Sequence, residues 1–141
     1  MLLPATSAEA ANTTKYVDSN CPYAGCSSGD LYLKYRSSGV PNSALATFYG
    51  NVYNYAGQTI SYNGATAVDY VFVFGPGDGS GTSVKNNAAS ATNCADADNY
   101  RVYFNSGYTG TAQLFEHAGG CFVAENFIAA LKNNNASQHF A

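Results

Sequence analysis

A seven-residue pattern occurs twice in this chain, as Val84-Lys85-Asn86-Asn87-Ala88-Ala89-Ser90 and as Leu131-Lys132-Asn133-Asn134-Asn135-Ala136-Ser137. Both copies read apolar-Lys-Asn-Asn-x-Ala-Ser. Repeats of this kind mark duplicated structural units, each of which needs its neighbour to bury an apolar face. At 141 residues the chain is the size of one ordinary domain. The repeat therefore predicts two modules, about 21–93 and 94–141, packed into one body behind an N-terminal segment, 1–20. Asn accepts left-handed backbone and can bond the chain two residues away, so the motif suits a turn that enters a strand. In a structural reading the asparagines hold a folded hairpin and the serine bonds a neighbouring loop. In a functional reading Asn86, Asn87, Ser90, Asn133, Asn134 and Ser137 supply oxygen ligands to a hard cation such as Ca²⁺.

The remaining pattern is that of strands and turns. Asp30–Arg36, Thr47–Tyr55, Gln58–Tyr62, Asp69–Phe74, Tyr100–Phe104 and Thr111–Phe115 are rich in Tyr, Val, Phe and Thr. Ser37-Ser38-Gly39, Asn63-Gly64 and Asn105-Ser106-Gly107 punctuate them as turns. The near-continuous apolar run of 69–74 predicts a strand buried on both faces or covered by the rest of the fold. Gly75–Gly81 lacks the Gly-Lys-Ser/Thr ending of a phosphate cradle and reads as a flexible hairpin loop. Residues 125–132 are ambiguous, because Phe127, Ile128 and Leu131 fit one face of a short helix; eight residues is marginal for one in an all-β setting. Residues 1–20 show no hydrophobic period and are expected to be flexible until tied down. The strand spacing predicts an all-β sandwich or barrel.

Composition narrows the partners. Only 11% of residues are charged, the net charge is −3 and the six Lys and Arg are scattered, which argues against nucleic acid. No stretch is long and apolar enough to predict a membrane span. Four cysteines, Cys21, Cys26, Cys94 and Cys121, suggest two disulfides and an oxidising compartment. Of the three pairings, Cys21–Cys26 with Cys94–Cys121 is favoured, since each pair is then local to one half; a zinc site lacks a second close cysteine pair. Ala8-Glu9-Ala10 resembles the end of a signal peptide, so the expected location is secreted and extracellular.

Asn-Asn-x-x-Ser followed by a strand resembles the signature of βγ-crystallin modules. The aromatic-x4-aromatic-x-Gly motif of that family is matched by Tyr103, Tyr108 and Gly110. The larger pattern, with Cys21-Pro22 near its start and Lys132–Ser137 near its end, resembles small secreted actinobacterial proteins. These are grouped with a peptidase-inhibitor family that includes a streptomycete metalloproteinase inhibitor. The resemblance spans about 21–141 and implies two βγ-crystallin-like Greek-key modules packed as one compact sandwich. It implies calcium ligands at the motif positions. However, Ala91 and Gln138 stand where calcium-binding members carry a second hydroxyl residue, and neither motif holds a carboxylate. The expectation is weak or absent calcium binding and no other cofactor. The first module lacks a clean aromatic motif and reads as a degenerate or insertion-bearing copy.

Catalysis finds little support. His117 beside Glu116 lies near Cys121, as in a Cys–His nucleophile, but Cys121 is expected in a disulfide, and on a strand His117 and Glu116 would face opposite sides. Asp96 and Asp98 are spaced like a glycosidase pair on a strand, although a loop after Cys94 suits them better. His139 lies near the terminus. The expected function is a secreted, non-enzymatic protein-binding module, either peptidase-inhibitor-like or a subunit of an extracellular, toxin-like or antagonistic assembly. Its partner is an extracellular protein. Segment 5–20 is a candidate strand for addition to that partner. The alternative is a structural protein that binds divalent ions or cell-envelope carbohydrate through exposed Tyr and Asn.

Overall fold

Ten strands and no helix form among the described residues, 12–61 and 66–141 of the computed structural model. The strands are β1 (Thr13–Val17), β2 (Leu31–Lys34), β3 (Leu45–Phe48), β4 (Gly57–Ile60), β5 (Val68–Phe72), β6 (Ser90–Asn93), β7 (Tyr100–Asn105), β8 (Thr109–Phe115), β9 (Ala124–Asn126) and β10 (Ser137–Phe140). The fold is all-β. Three sheets, ordered β3-β2-β6-β9, β10-β7-β8 and β1-β5-β4, contribute to one hydrophobic core.

The first two sheets are related strand by strand. Lys34 of β2 lies opposite Ser90 of β6, and Tyr103 of β7 lies opposite Ser137 of β10. Both motif copies therefore run into a strand that pairs antiparallel with the first strand of a hairpin. The hairpins correspond as well: Leu31 lies opposite Phe48, and Tyr100 lies opposite Phe115. All four of these side chains are buried. Each half then lends a segment to the sheet of the other. β9 pairs with β6, and the Phe127 amide donates to the Ala89 carbonyl at 3.1 Å. In return Val52 bridges to Gln138, and the Tyr55 amide donates to the Ala136 carbonyl at 2.8 Å. The lent rings land on matching partners, with Tyr55 stacked on Phe48 at 5.3 Å and Phe127 edge-on to Phe115 at 5.2 Å. This crossed pairing is compatible with two Greek-key modules.

Strands β4 and β5 of the third sheet lie between Tyr55 and the first motif, where no strand lies between Phe127 and the second. Phe72 of β5 meets Phe48 edge-on at 4.9 Å and joins the third sheet to the core. β5 is not buried on both faces: Tyr70, Phe72 and Phe74 are buried while Val71 and Val73 are half-exposed. A strand with one face on the core and its edges covered by neighbours accommodates that run. β1 supplies one such edge, pairing in parallel with β5 from Thr13↔Val68 to Val17↔Phe72. The N-terminal segment is thus tied down from Thr13 onwards, although only Val17 of β1 is even half-buried.

Two further expectations meet the structure directly. The 125–132 stretch is not a helix; β9 is followed by a turn in which the Leu131 and Lys132 amides both donate to the Ile128 carbonyl at 2.9 Å. Gly75–Gly81 forms a hairpin loop closed by the Val73–Ser83 bridge, but backbone bonds hold it: Asp78 N donates to Asn42 O at 2.7 Å and accepts at its own carbonyl from Ala44 N at 2.9 Å. Gly79, at φ +94°, sits where a Cβ would overlap the Tyr35 ring, so its glycine serves close approach. The predicted Asn63-Gly64 turn and the Tyr62 end of its strand lie outside the described residues.

Candidate functional site

The repeat forms the seam between the halves. The first Asn of each motif has left-handed backbone, with φ +64° at Asn86 and +56° at Asn133. Its amide then points across the seam: Asn86 N donates to Asn135 O at 2.8 Å, and Asn133 N donates to Ala88 O at 3.0 Å. The two bonds join corresponding positions in opposite directions. The second Asn of each motif bonds its own turn, with Asn87 Nδ2 on Lys85 O at 3.1 Å and Asn134 Nδ2 on Lys132 O at 3.4 Å. The serines are buried and hold the hairpins. Ser90 Oγ donates to Arg36 O at 2.7 Å, and Ser137 Oγ donates to Asn105 O at 2.6 Å while accepting from Tyr108 N at 3.1 Å. Tyr108, at φ +64°, packs its ring edge-on against Tyr53, Tyr103 and His139. Burial beside Tyr53 raises its pKa. Gly110, at φ +86°, is the second residue of β8.

Gln138 follows the serine of the second motif, as Ala91 follows that of the first. Its amide is fully buried, accepting from Tyr55 Oη at 2.9 Å and donating to Gly50 O at 2.8 Å. Burial pushes the Tyr55 phenol well above its ordinary range. Of the six calcium-ligand candidates, Asn87 and Asn133 line one cleft of about 290 Å³, together with Tyr35, Arg36, Ser37, Ala89 and Lys132. Among the described residues no group of three or more His, Cys, Asp and Glu is placed to hold a metal ion.

A second surface feature is the loop 116–123 between β8 and β9. The cysteines pair as Cys21–Cys26 and Cys94–Cys121, so Cys121 ties this loop to the end of β6. Asn93 Nδ2 holds its base through Phe115 O at 2.9 Å, and Asn99 Oδ1 accepts from His117 N at 3.0 Å. The chain beyond Cys121 presents Phe122, 77% exposed, and Val123, 56% exposed. Val123, Glu116 and His117 line a cleft of about 170 Å³ beneath the loop. Glu116 and His117 thus lie past the end of β8 and share a cleft, where a strand would have turned them to opposite faces. The sulfur of Cys121 is bonded, so no thiol stands beside His117. Asp96 and Asp98 are exposed on the loop after Cys94.

The sequence alone marks no functional role for Arg36, Ser37, Phe122 or Val123. The Phe-Val pair directly after a disulfide cysteine was the available signal for the loop. For the cleft it was the Lys that precedes Asn-Asn in both copies.

Comparison of the chain with protein-family models, with curated protein sequences and with solved structures returned no match. No helix among the described residues is long and apolar enough to cross a membrane. The two disulfides suit an oxidising compartment.

Proposed function

We propose that this chain is a secreted, non-enzymatic protein-binding module of peptidase-inhibitor type, whose inserting element is the loop 116–123. The observation that carries this reading is the exposure of Phe122 on a loop clamped at its base and at Cys121. A large exposed aromatic side chain suits an interface anchor. A clamped loop loses little freedom on binding, so more of its contact energy appears as affinity. If a peptidase cleaved the loop between Glu116 and Cys121, the Cys94–Cys121 disulfide would keep both products attached. The resemblance to βγ-crystallin modules fits this reading as a scaffold, supported by the crossed pairing of β9 and of Val52–Tyr55.

The test is inhibition of extracellular bacterial peptidases, zinc-dependent and serine types, by the full chain and by Phe122→Ala. The reading predicts stoichiometric inhibition of one class, weakened roughly thirtyfold by the substitution, or about 2 kcal/mol. Absence of inhibition across both classes, or equal inhibition by both proteins, would contradict it. The alternative reading is binding of cell-envelope carbohydrate, favoured by the ring cluster of Tyr53, Tyr103, Tyr108 and His139, in which Tyr53 is 67% exposed. Retention on peptidoglycan that is lost with Tyr53→Ala and kept with Phe122→Ala would select it.

A further inference from the structure

Independently of that reading, we propose that the cleft at the repeat seam binds an oxyanion: the phosphate, sulfate or carboxylate group of a small molecule or glycan. Its lining assembles from distant parts of the chain. Tyr35, Arg36 and Ser37 follow β2, Asn87 and Ala89 belong to the first motif, and Lys132 and Asn133 belong to the second. Two of the chain's six Lys and Arg therefore meet in one cleft of a protein whose net charge is −3. No Asp or Glu is among the lining residues.

The donors are suited to an anion. The Arg36 guanidinium lies 5.5 Å from the centroid of the Tyr35 ring, a cation–π distance. That ring is braced edge-on by Phe74 at 5.7 Å and backed by Gly79. The guanidinium is thereby held in place at the cleft, with a planar fork of N–H groups that matches two oxygens of one anion. Lys132 adds a point charge, and the Ser37 hydroxyl and Asn133 side-chain amide add neutral donors. Asn87 already spends both amide N–H groups on Ser83 O and Lys85 O, at 2.9 and 3.1 Å. The same charges oppose calcium, which Asn87 and Asn133 alone would suggest. A divalent cation in this cleft would face Arg36 and Lys132 with no carboxylate in the lining to offset them.

Amide NMR spectra of the full chain, titrated separately with inorganic phosphate, sulfate, glucuronate and calcium chloride at fixed ionic strength, test this. At least one of the three oxyanions should move the amides of Arg36, Ser37, Lys132 and Asn133 saturably, and calcium should not. Arg36→Gln and Lys132→Gln should each weaken binding roughly tenfold, as expected for a charge-assisted hydrogen bond. Both side chains are exposed, so the variants should keep the parent Tm. Lys15→Gln, on β1 of another sheet, should change the affinity less than twofold. Raising sodium chloride on the unmodified chain should weaken binding as well, a readout that needs no variant. Response to phosphate or sulfate alone would assign a tetrahedral ligand group, and response to glucuronate alone a carboxylate. No saturable shift with any oxyanion, a calcium response at these amides, or unchanged affinity in a variant carrying both Arg36→Gln and Lys132→Gln would overturn the proposal.

Discussion

The two halves of the molecule share a hydrogen-bonding plan and differ in what is hung on it. In both, an Asn with left-handed backbone sends its amide across the seam, a buried serine ties the end of a hairpin, and a lent aromatic ring packs under the hairpin's second strand. Between the lent ring and the motif the second half needs only residues 128–130. The first half has residues 56–83 there, and their strands β4 and β5 join β1 in a third sheet. The register also sets Arg36 of the first half against Asn105 of the second, so the guanidinium exists on one side only. The common plan builds the scaffold, and the candidate binding features sit where the halves depart from it.

The largest expected departure is Asn135, which has Ala88 at the corresponding place. Asn135 Oδ1 accepts from Ala88 N at 3.3 Å, and its Nδ2 donates to Ala88 O at 2.9 Å and to Leu131 O at 2.8 Å. All of this is buried, so Asn135→Ala strands the Ala88 amide without water and removes two further bonds from carbonyls that keep the Asn133 and Asn134 amides. The expected cost is about 3 kcal/mol in urea unfolding. A loss below about 1 kcal/mol would mean that the seam does not depend on this one-sided clamp.

A smaller difference separates the serines. Ser137 serves two partners and Ser90 one. Ser137→Ala should cost about 2 kcal/mol and Ser90→Ala about 1 kcal/mol by the same measurement. The reverse order would break the correspondence drawn between the hairpins.

The parts of this fold that were legible in the sequence are those with local signals. The strands around Leu31, Tyr70, Tyr100 and Phe115 advertise themselves through β-branched and aromatic residues, and the motif announces its own turn through Asn. β9 was not legible because it has three residues, Ala124–Asn126, and pairs far from home. β1 was missed because an edge strand with an exposed outer surface carries no hydrophobic period. The cleft was hidden for a related reason: Arg36 and Lys132 are unremarkable charges until the crossed pairing brings their turns together. The glycines of 75–81 read as mobility, whereas several of them allow backbone and the Tyr35 ring to approach closely.

The reciprocal seam and the exchanged strands should make the halves one cooperative unit. Differential scanning calorimetry of the oxidised full chain at neutral pH tests it most directly. A single transition is expected, with calorimetric and van't Hoff enthalpies that agree, as two-state unfolding requires. Two resolved transitions, or a calorimetric enthalpy about twice the van't Hoff value, would show that the halves melt separately and would contradict it.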